Sequence, residues 1–262
     1  MFGEVVHNPA VIADLVSKGL GLVNSLDVIP EKANVLIRAH GVSEKTVREI
    51  QNRGLGIIDK TCPRVKIVHD IVAEASARGL DVIIVGTENH PEVLGIAGWA
   101  ETQTVVVRDL ADAERTIPDK SFSKEGVCLV AQTTHNKVKY EEVYRYCSAF
   151  FPHLEYYDTI CDATAVRQEE IGRLAKMVDC VIVIGGKASS NVNRLFEIAS
   201  ESNNNTQHIE SFTDLDLTKL MNVNTCLIAS GTSTPENSIF QVIDRLKLFC
   251  LENEIAFELI KE

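Results

Sequence analysis

Two cysteines open helical patterns at matching places along this chain. Cys62 begins CPRVKIVHDIVAEASARG, and Cys161, 99 residues later, begins CDATAVRQEEIGRLAKMV. Each helical pattern leads to an apolar strand that ends in glycine, at Gly86 and at Gly185, and each glycine lies 24 residues after its cysteine. A lone cysteine before a helix is usually structural, whereas two at the same place in a repeat indicate thiolate ligands for a metal centre.

Polar side chains recur after each of these glycines and again at the end of a later strand. In the first position the copies carry His90-Pro91-Glu92 and Ser189-Ser190-Asn191, and in the second they carry Thr133 and Ser233. Open α/β sheets bind ligands at the carboxyl ends of their strands, so a site is expected there. Hydroxyl, amide and imidazole groups can hold an anion, helix N-termini after GGKASSN and GTSTPEN add N–H donors, and Glu92 can supply a proton.

A third copy of the repeat begins with the chain. Gly3 is followed by VVHNP, which places His7 four residues after the glycine, as His90 follows Gly86, and the strand VLIRAHGVS delivers His40. The cysteine of this copy would precede residue 1, so we expect an upstream segment with the first of three cysteines and poor cluster binding without it. Three thiolates around a pseudo-threefold axis suit an iron–sulfur cube with one iron open to substrate.

The elements that must position these residues alternate between β-branched strands and amphipathic helices. The strand patterns lie at 35–38, 81–86, 104–107, 127–132, 180–185 and 225–230, and the helical patterns at 43–53, 64–78, 136–150, 163–178, 190–201 and 236–249. Continuous apolar strands separated by helices predict parallel sheets covered on both faces. The repeat divides the chain into three small α/β domains, a truncated first one at 1–62 and further ones at 63–158 and 159–262.

Composition argues against several classes of protein. The 262 residues carry 26 basic and 37 acidic side chains, a net charge of −11 that is a poor match to nucleic-acid binding. No apolar run has the roughly 20 residues of a membrane span, and MFGEVVHNPAV lacks an export-signal pattern, so a cytoplasmic protein is expected. The seven cysteines predict reduced thiols rather than disulfides. Those outside the repeat are expected to be inert, Cys128, Cys180 and Cys226 in strand cores and Cys147 and Cys250 on helices.

Eight short motifs together resemble one known family. VVHN, AHGVS, DKTCPRV, GTENHPEV, QTT, CDATAVRQ, GGKASSNVNRL and SGTSTPEN follow one another in the order and spacing of the LytB/IspH reductases. The resemblance covers essentially the whole chain and implies a trefoil of three α/β domains around a [4Fe-4S] cluster. It also implies the last step of the non-mevalonate pathway, in which two electrons and two protons remove the allylic hydroxyl of 4-hydroxy-3-methylbut-2-enyl diphosphate. The products are isopentenyl and dimethylallyl diphosphate, and the electron donor is a ferredoxin or flavodoxin.

The resemblance also implies a role for each candidate residue. Cys62 and Cys161 match two of the three cluster ligands. Thr133 matches a hydroxyl beside the substrate alcohol, and Glu92 matches a carboxylate that relays protons. The remaining matches are to substrate-binding positions: His7, His40, His90, Ser189, Ser190, Asn191 and Ser233.

Other interpretations of the same residues are open at this point. The chain could be a cluster-deficient fragment that binds a diphosphate without activity. The three candidate histidines, together with Glu92, could instead bind zinc in a hydrolase, although their spacing lacks a helical HExxH pattern. Ser189 and Ser233 could be plain helix N-caps, and Glu92 could merely complement a helix dipole.

Overall fold

The computed structural model, which describes residues 1–260, contains helices and strands in alternation. The helices are α1 (Pro9–Ser17), α2 (Glu44–Asn52), α3 (Pro63–Ala77), α4 (Pro91–Ala97), α5 (Leu110–Thr116), α6 (Lys137–Phe150), α7 (Asp162–Leu174), α8 (Ser190–Ser202) and α9 (Glu236–Glu252). The strands are β1 (Asn34–Ile37), β2 (Gly56–Asp59), β3 (Asp81–Val85), β4 (Thr104–Val107), β5 (Val127–Ala131), β6 (Leu154–Tyr156), β7 (Cys180–Ile184), β8 (Thr206–Ile209) and β9 (Cys226–Ser230).

The strand and helix patterns found in the sequence are confirmed. They correspond to β1, β3, β4, β5, β7 and β9 and to α2, α3, α6, α7, α8 and α9. The elements that the patterns missed are α1, α4, α5, β2, β6 and β8, which are helices of seven to nine residues and strands of three or four. Elements this short show little periodicity, so only some of them are recognised from the sequence. No helix within residues 1–260 is both long and apolar enough to cross a membrane.

The strands form three parallel sheets, which confirms the predicted α/β class. Their strand orders are β1-β2, β4-β3-β5-β6 and β8-β7-β9, and every pairing is parallel. In the two larger sheets the central strand β3 or β7 is buried at all five residues. Apolar side chains on both faces of these strands are what parallel sheets between helices require.

The chain divides into two compact units. Unit 1 comprises residues 1–6 and 12–165 and contains the first two sheets. Unit 2 comprises residues 7–11 and the chain from 166 onward and contains the third sheet. The predicted division at 1–62, 63–158 and 159–262 stays a prediction, and each of these ranges contains the strands of one sheet.

The glycine of each sequence repeat makes the same backbone hydrogen bond. Its N–H donates to the carbonyl at the end of a neighbouring strand or extended segment. The pairs are Gly3 to Val23 at 2.8 Å, Gly86 to Val107 at 2.9 Å and Gly185 to Ile209 at 2.9 Å. The residue before the first glycine, Phe2, also bridges in parallel to Val23 and to Ile37 of β1, as Val85 pairs with β4 and β5. The three-copy alignment therefore has a structural counterpart in the backbone.

Candidate functional site

The two repeat cysteines lie where α3 and α7 begin, and a backbone hydrogen bond fixes each of them. The Cys62 N–H donates to the carbonyl of Ala39, and the Cys161 N–H donates to the carbonyl of Thr133, both at 2.9 Å. Thr133 is itself a candidate site residue, and Ala39 directly precedes another one, His40. Both thiols are partly exposed, and Cys62 caps α3 without a side-chain hydrogen bond.

An ion pair joins the first turns of these two helices. Arg64 of α3 donates to the carboxylate of Asp162, the first residue of α7. The sequence motifs do not indicate this pair, although each partner stands within two residues of its cysteine. Two accessible thiols at joined helix N-termini fit the thiolate ligands that an iron–sulfur cluster requires.

The other cysteines differ in their burial. Cys128 in β5 and Cys147 in α6 are fully buried, and burial raises the pKa of each thiol to about 12, which agrees with the expected inert role. Cys180 is also buried, and Cys250 is partly exposed on α9. The prediction that Cys226 lies in a strand core is wrong. It begins β9, the edge strand of its sheet, and is exposed.

His40 and His90 lie together within unit 1. Their rings pack edge to face with centroids 5.3 Å apart. His40 stands in a turn that Gly41 closes with a φ of +71°. His90 caps α4, where its Nδ1 accepts the backbone N–H of Glu92 at 3.1 Å, so the neutral ring carries its proton on Nε2. The pair of half-buried rings presents polar atoms of the kind that hold a polar ligand.

Glu92 is a nearly fully buried carboxyl, 2% exposed, in the first turn of α4. Its Oε1 accepts the backbone N–H of Thr133 at 2.6 Å, and the Thr133 hydroxyl bonds to the carboxylate as well. Burial raises the pKa of Glu92 to about 7, against the opposing effect of these hydrogen bonds. A carboxyl poised near neutrality can donate a proton at physiological pH. A side chain that only complemented the helix dipole would have no need of this burial.

Two side chains that the sequence motifs did not mark hold the loop that carries His40. The Trp99 Nε1–H donates to the carbonyl of Val42 at 2.9 Å. The His69 ring stacks on Trp99 with centroids 5.2 Å apart. The ring also lies so close to Gly41 that a Cβ there would stand 2.5 Å from its Cε1. The loop that carries His40 is therefore held in place by the stacked rings of His69 and Trp99.

In unit 2, the segment that carries His7 packs against the loops that follow β7 and β9. The Asn8 side-chain amide donates to the carbonyl of Ser233 at 3.2 Å, and its Oδ1 accepts the Ala10 N–H at 3.1 Å at the start of α1. A Cβ on Gly186 would lie 2.3 Å from the His7 carbonyl oxygen, so this approach requires glycine. The HNP sequence therefore packs against two loops of unit 2 and also supplies a candidate histidine.

The serines of unit 2 have different local roles. The Ser189 hydroxyl caps α8 by accepting the Val192 N–H at 3.4 Å, so the N-cap interpretation is correct for this serine. Ser190 is the first residue of the same helix. Ser233 is not an N-cap, because the cap of α9 is Pro235.

Asn191 is a buried amide without a partner in the described chain. It is 4% exposed, and neither its Nδ2 nor its Oδ1 has a hydrogen-bond partner. A buried polar group left unpaired costs about 1–3 kcal/mol. Its place is the second residue of α8, where backbone N–H groups and the helix dipole favour an anion. The α8 N-terminus is therefore suited to a polar, anionic ligand.

Comparison with known proteins decides the family. The profile described as LytB protein matches residues 1–247. The chain belongs to the LytB family. This family is generally one of [4Fe-4S] enzymes, which agrees with the fit of Cys62 and Cys161 to thiolate ligation.

Two curated members of the LytB family show how much of the chain the relationship covers. The protein of Clostridioides difficile (strain 630) is 40% identical over 245 residues, which are 94% of this chain and 86% of the relative. That of Aquifex aeolicus (strain VF5) is 37% identical over 252 residues, 95% of this chain and 85% of the relative. Both are named 4-hydroxy-3-methylbut-2-enyl diphosphate reductase.

Solved structures of LytB-type reductases share the fold. The E-1-hydroxy-2-methyl-but-2-enyl-4-diphosphate reductase of Plasmodium falciparum matches with a TM-score of 0.87 and 29% identity, over 94% of this chain and 77% of that one. A (E)-4-hydroxy-3-methyl-but-2-enyl diphosphate reductase, described as the terminal enzyme of the non-mevalonate pathway, matches with a TM-score of 0.65 and 35% identity, over 94% and 87%. The comparisons give no support to an inactive fragment or to a zinc hydrolase.

Proposed function

We propose that this chain is a 4-hydroxy-3-methylbut-2-enyl diphosphate reductase, the terminal enzyme of the non-mevalonate pathway. The reaction takes the allylic diphosphate, two electrons and two protons to isopentenyl or dimethylallyl diphosphate and water. The observation that carries the proposal is the backbone bonding of the two cysteines. Cys62 bonds to the residue before His40, and Cys161 bonds to Thr133, so thiolate ligands and candidate substrate groups are fixed by the same strand ends.

Cys62 and Cys161 would provide two of the thiolates of a [4Fe-4S] cluster. Their sulfurs are partly exposed at the N-termini of α3 and α7, and the Arg64–Asp162 ion pair holds those termini together. When bound, such a cluster supplies electrons and a Lewis-acidic iron for the departing hydroxyl. The part of the chain is to present the thiolates and to hold the surrounding loops in place.

Glu92 and Thr133 would serve the departing hydroxyl. An allylic alcohol leaves more easily as water than as hydroxide, so its departure needs a proton at the oxygen. Glu92, with its pKa raised by burial to about 7, is about half protonated at neutral pH and can deliver that proton. The Thr133 hydroxyl bonds to Glu92 and would orient the substrate alcohol towards it. His40 and His90 would line the same part of the pocket.

The diphosphate would be bound by the polar groups of unit 2. Asn191 offers a buried amide that has no partner in the described chain, and the α8 N-terminus adds a positive dipole end. Ser189, Ser190, Ser233 and His7 complete the proposed substrate-binding set. The hydroxyls and the amide can donate to phosphate oxygens without a cluster of basic residues, in keeping with the acidic composition.

The proposed partners are the diphosphate substrate and a small reduced electron carrier such as ferredoxin or flavodoxin. A cytoplasmic location without nucleic-acid or membrane partners stays a prediction.

The experiment that tests this function is product analysis after anaerobic reconstitution with iron and sulfide. Substrate and a chemical reductant are added, and isopentenyl and dimethylallyl diphosphate are measured by mass spectrometry. The proposal expects both products from the full-length wild type and none above background from its Cys62→Ser or Cys161→Ser variant. Cys128→Ser is the matched control, because this buried core cysteine lies in β5. Equal turnover in the Cys62→Ser variant contradicts the proposal.

A further inference from the structure

Two cysteines of unit 2 face each other across neighbouring strands. Cys180 is the first residue of β7, Cys226 is the first residue of β9, and the two are register partners in a parallel pair. Registered partners project from the same face of a sheet, on strands about 4.8 Å apart. Disulfides join residues whose Cα atoms are about 4.4–6.8 Å apart, so this pair stands within the range that a disulfide spans.

The two cysteines have unequal surroundings. Cys180 is fully buried among apolar side chains, whereas Cys226 is exposed on the edge strand. The Cys226 thiol donates a hydrogen bond to the carbonyl of Leu227 at 3.8 Å. The interaction between the two cysteine side chains lowers the pKa of Cys180 and raises that of Cys226. The Gln207 amide and the Lys219 ammonium also favour a thiolate at Cys180, and the Asp179 carboxylate opposes it. The pair therefore combines an exposed cysteine at the edge of the sheet with a buried cysteine whose neighbours favour the thiolate.

This pair lies apart from the groups assigned to substrate. The polar loops of unit 2 follow the carboxyl ends of β7 and β9, whereas Cys180 and Cys226 stand at the amino ends of these strands. At about 3.3 Å per residue, a five-residue strand separates its two ends by about 13 Å. Neither cysteine belongs to the repeat position of Cys62 and Cys161. Chemistry at the pair is thus independent of cluster ligation.

We propose that Cys180 and Cys226 form an oxidisable dithiol site, in which a hydroperoxide converts the two thiols into an intramolecular disulfide. The Cys180 thiolate takes the proton of the Cys226 thiol, and the exposed Cys226 sulfur then attacks one oxygen of hydrogen peroxide. The O–O bond breaks, a sulfenic acid forms at Cys226, and the hydroxide released takes a proton from solvent and leaves as water. The Cys180 sulfur then displaces the hydroxyl group of the sulfenic acid, which forms the S–S bond and releases a second water. The two sulfurs lose two electrons in total, and the peroxide accepts them.

The test is peptide mapping of the reconstituted full chain after brief exposure to hydrogen peroxide, with the remaining thiols then blocked by iodoacetamide. Trypsin places Cys180 in peptide 177–187 and Cys226 in peptide 220–245. The expected result is a joined pair of these peptides whose mass is two hydrogens below their sum, which dithiothreitol separates. A Cys226 found as sulfinic or sulfonic acid, with Cys180 still a free thiol, overturns the proposal.

Matched variants separate the pair from general thiol oxidation. Cys226→Ser is expected to lower the oxidation of Cys180 at least about tenfold, because peroxide then has no exposed sulfur through which to reach it. Cys250→Ser, a change at a partly exposed cysteine on α9, is expected to leave the disulfide yield unchanged.

A second measurement needs no variant at all. Dibromobimane, which bridges two adjacent thiols, is expected to join Cys180 and Cys226 in the reduced wild type. Failure of this reagent to bridge them contradicts the proposal even if a variant does not fold.

Discussion

Replacement of Glu92 by glutamine tests how burial prepares a proton donor. The wild-type carboxyl is 2% exposed, and burial raises its pKa from 4.5 to about 7. Glutamine keeps the shape and can still accept the Thr133 N–H, but it has no acidic proton to give. Loss of a general acid reduces turnover by about 100- to 10,000-fold. We therefore expect kcat of Glu92→Gln to fall within that range while KM changes little.

The same substitution has a consequence for stability that follows from proton linkage. Because the folded pKa lies above the unfolded one, the folded state holds more protons between pH 4.5 and about 7. The free energy of unfolding therefore decreases as pH rises through this window and levels off above it. A pKa shift from 4.5 to about 7 corresponds to a loss on the order of 3 kcal/mol. Glu92→Gln is expected to remove this decline.

Two assays measure these effects. Steady-state turnover from pH 5 to pH 9, about two units on either side of the raised pKa, should show wild-type kcat falling as pH rises through about 7. Urea unfolding at a series of pH values between 4.5 and 8 covers the window of the stability change. Glu88→Gln, a change at an exposed glutamate in the loop before α4, is the matched control for both. Undiminished turnover in Glu92→Gln, or a wild-type kcat that rises with pH through 7, would contradict the role of Glu92 as proton donor.

Other contacts give further measurable expectations. Asn191→Ala should raise KM for substrate about tenfold with little loss of thermal stability, because its amide has no hydrogen-bond partner in the described chain to lose. Asn204→Ala, a change at an exposed asparagine, is the control and should leave KM unchanged. Trp99→Phe keeps an aromatic ring but loses the hydrogen bond to the Val42 carbonyl. The free energy of unfolding should therefore drop by about 1 kcal/mol, and hydrogen exchange of the backbone amides at 40–43 should quicken. Arg64→Gln should change stability by less than about 1 kcal/mol, since both partners of its ion pair are exposed, yet it should speed iron loss to a chelator. Arg115→Gln, which breaks an ion pair on α5, should not speed that loss, and equal rates would contradict the role given to Arg64.

The sequence predicts those parts of the fold that periodicity encodes. The fully apolar run of β7 and the amphipathic pattern of α3 are each long enough to identify their element. The three-residue strand β6 and the seven-residue helix α5 are not, and they exist because neighbouring strands and sheets supply their partners. Cys226 shows the same limit. An apolar sequence around a residue predicts a strand, but not whether that strand lies at the edge of its sheet.

The candidate site was predictable where it follows from the repeat. Matching offsets from Cys62 and Cys161 lead to Glu92 and Asn191, and the structure shows both side chains buried. The supporting contacts were not predictable, because they join residues far apart in the chain. Trp99 reaches back 57 positions to the Val42 carbonyl. The pKa of Glu92 likewise depends on burial that only the folded chain provides.

The most direct measurement of the central claim is the iron and acid-labile sulfide retained per chain after anaerobic reconstitution. It should be made on the wild type and on the Cys62→Ala, Cys161→Ala and Cys128→Ala variants in parallel. If Cys62 and Cys161 are cluster ligands, the wild type and Cys128→Ala retain iron and sulfide in similar amounts. Removal of Cys62 or Cys161 then causes a loss of most of both. Iron and sulfide retained at the wild-type level without Cys62 or Cys161 would contradict that ligand assignment.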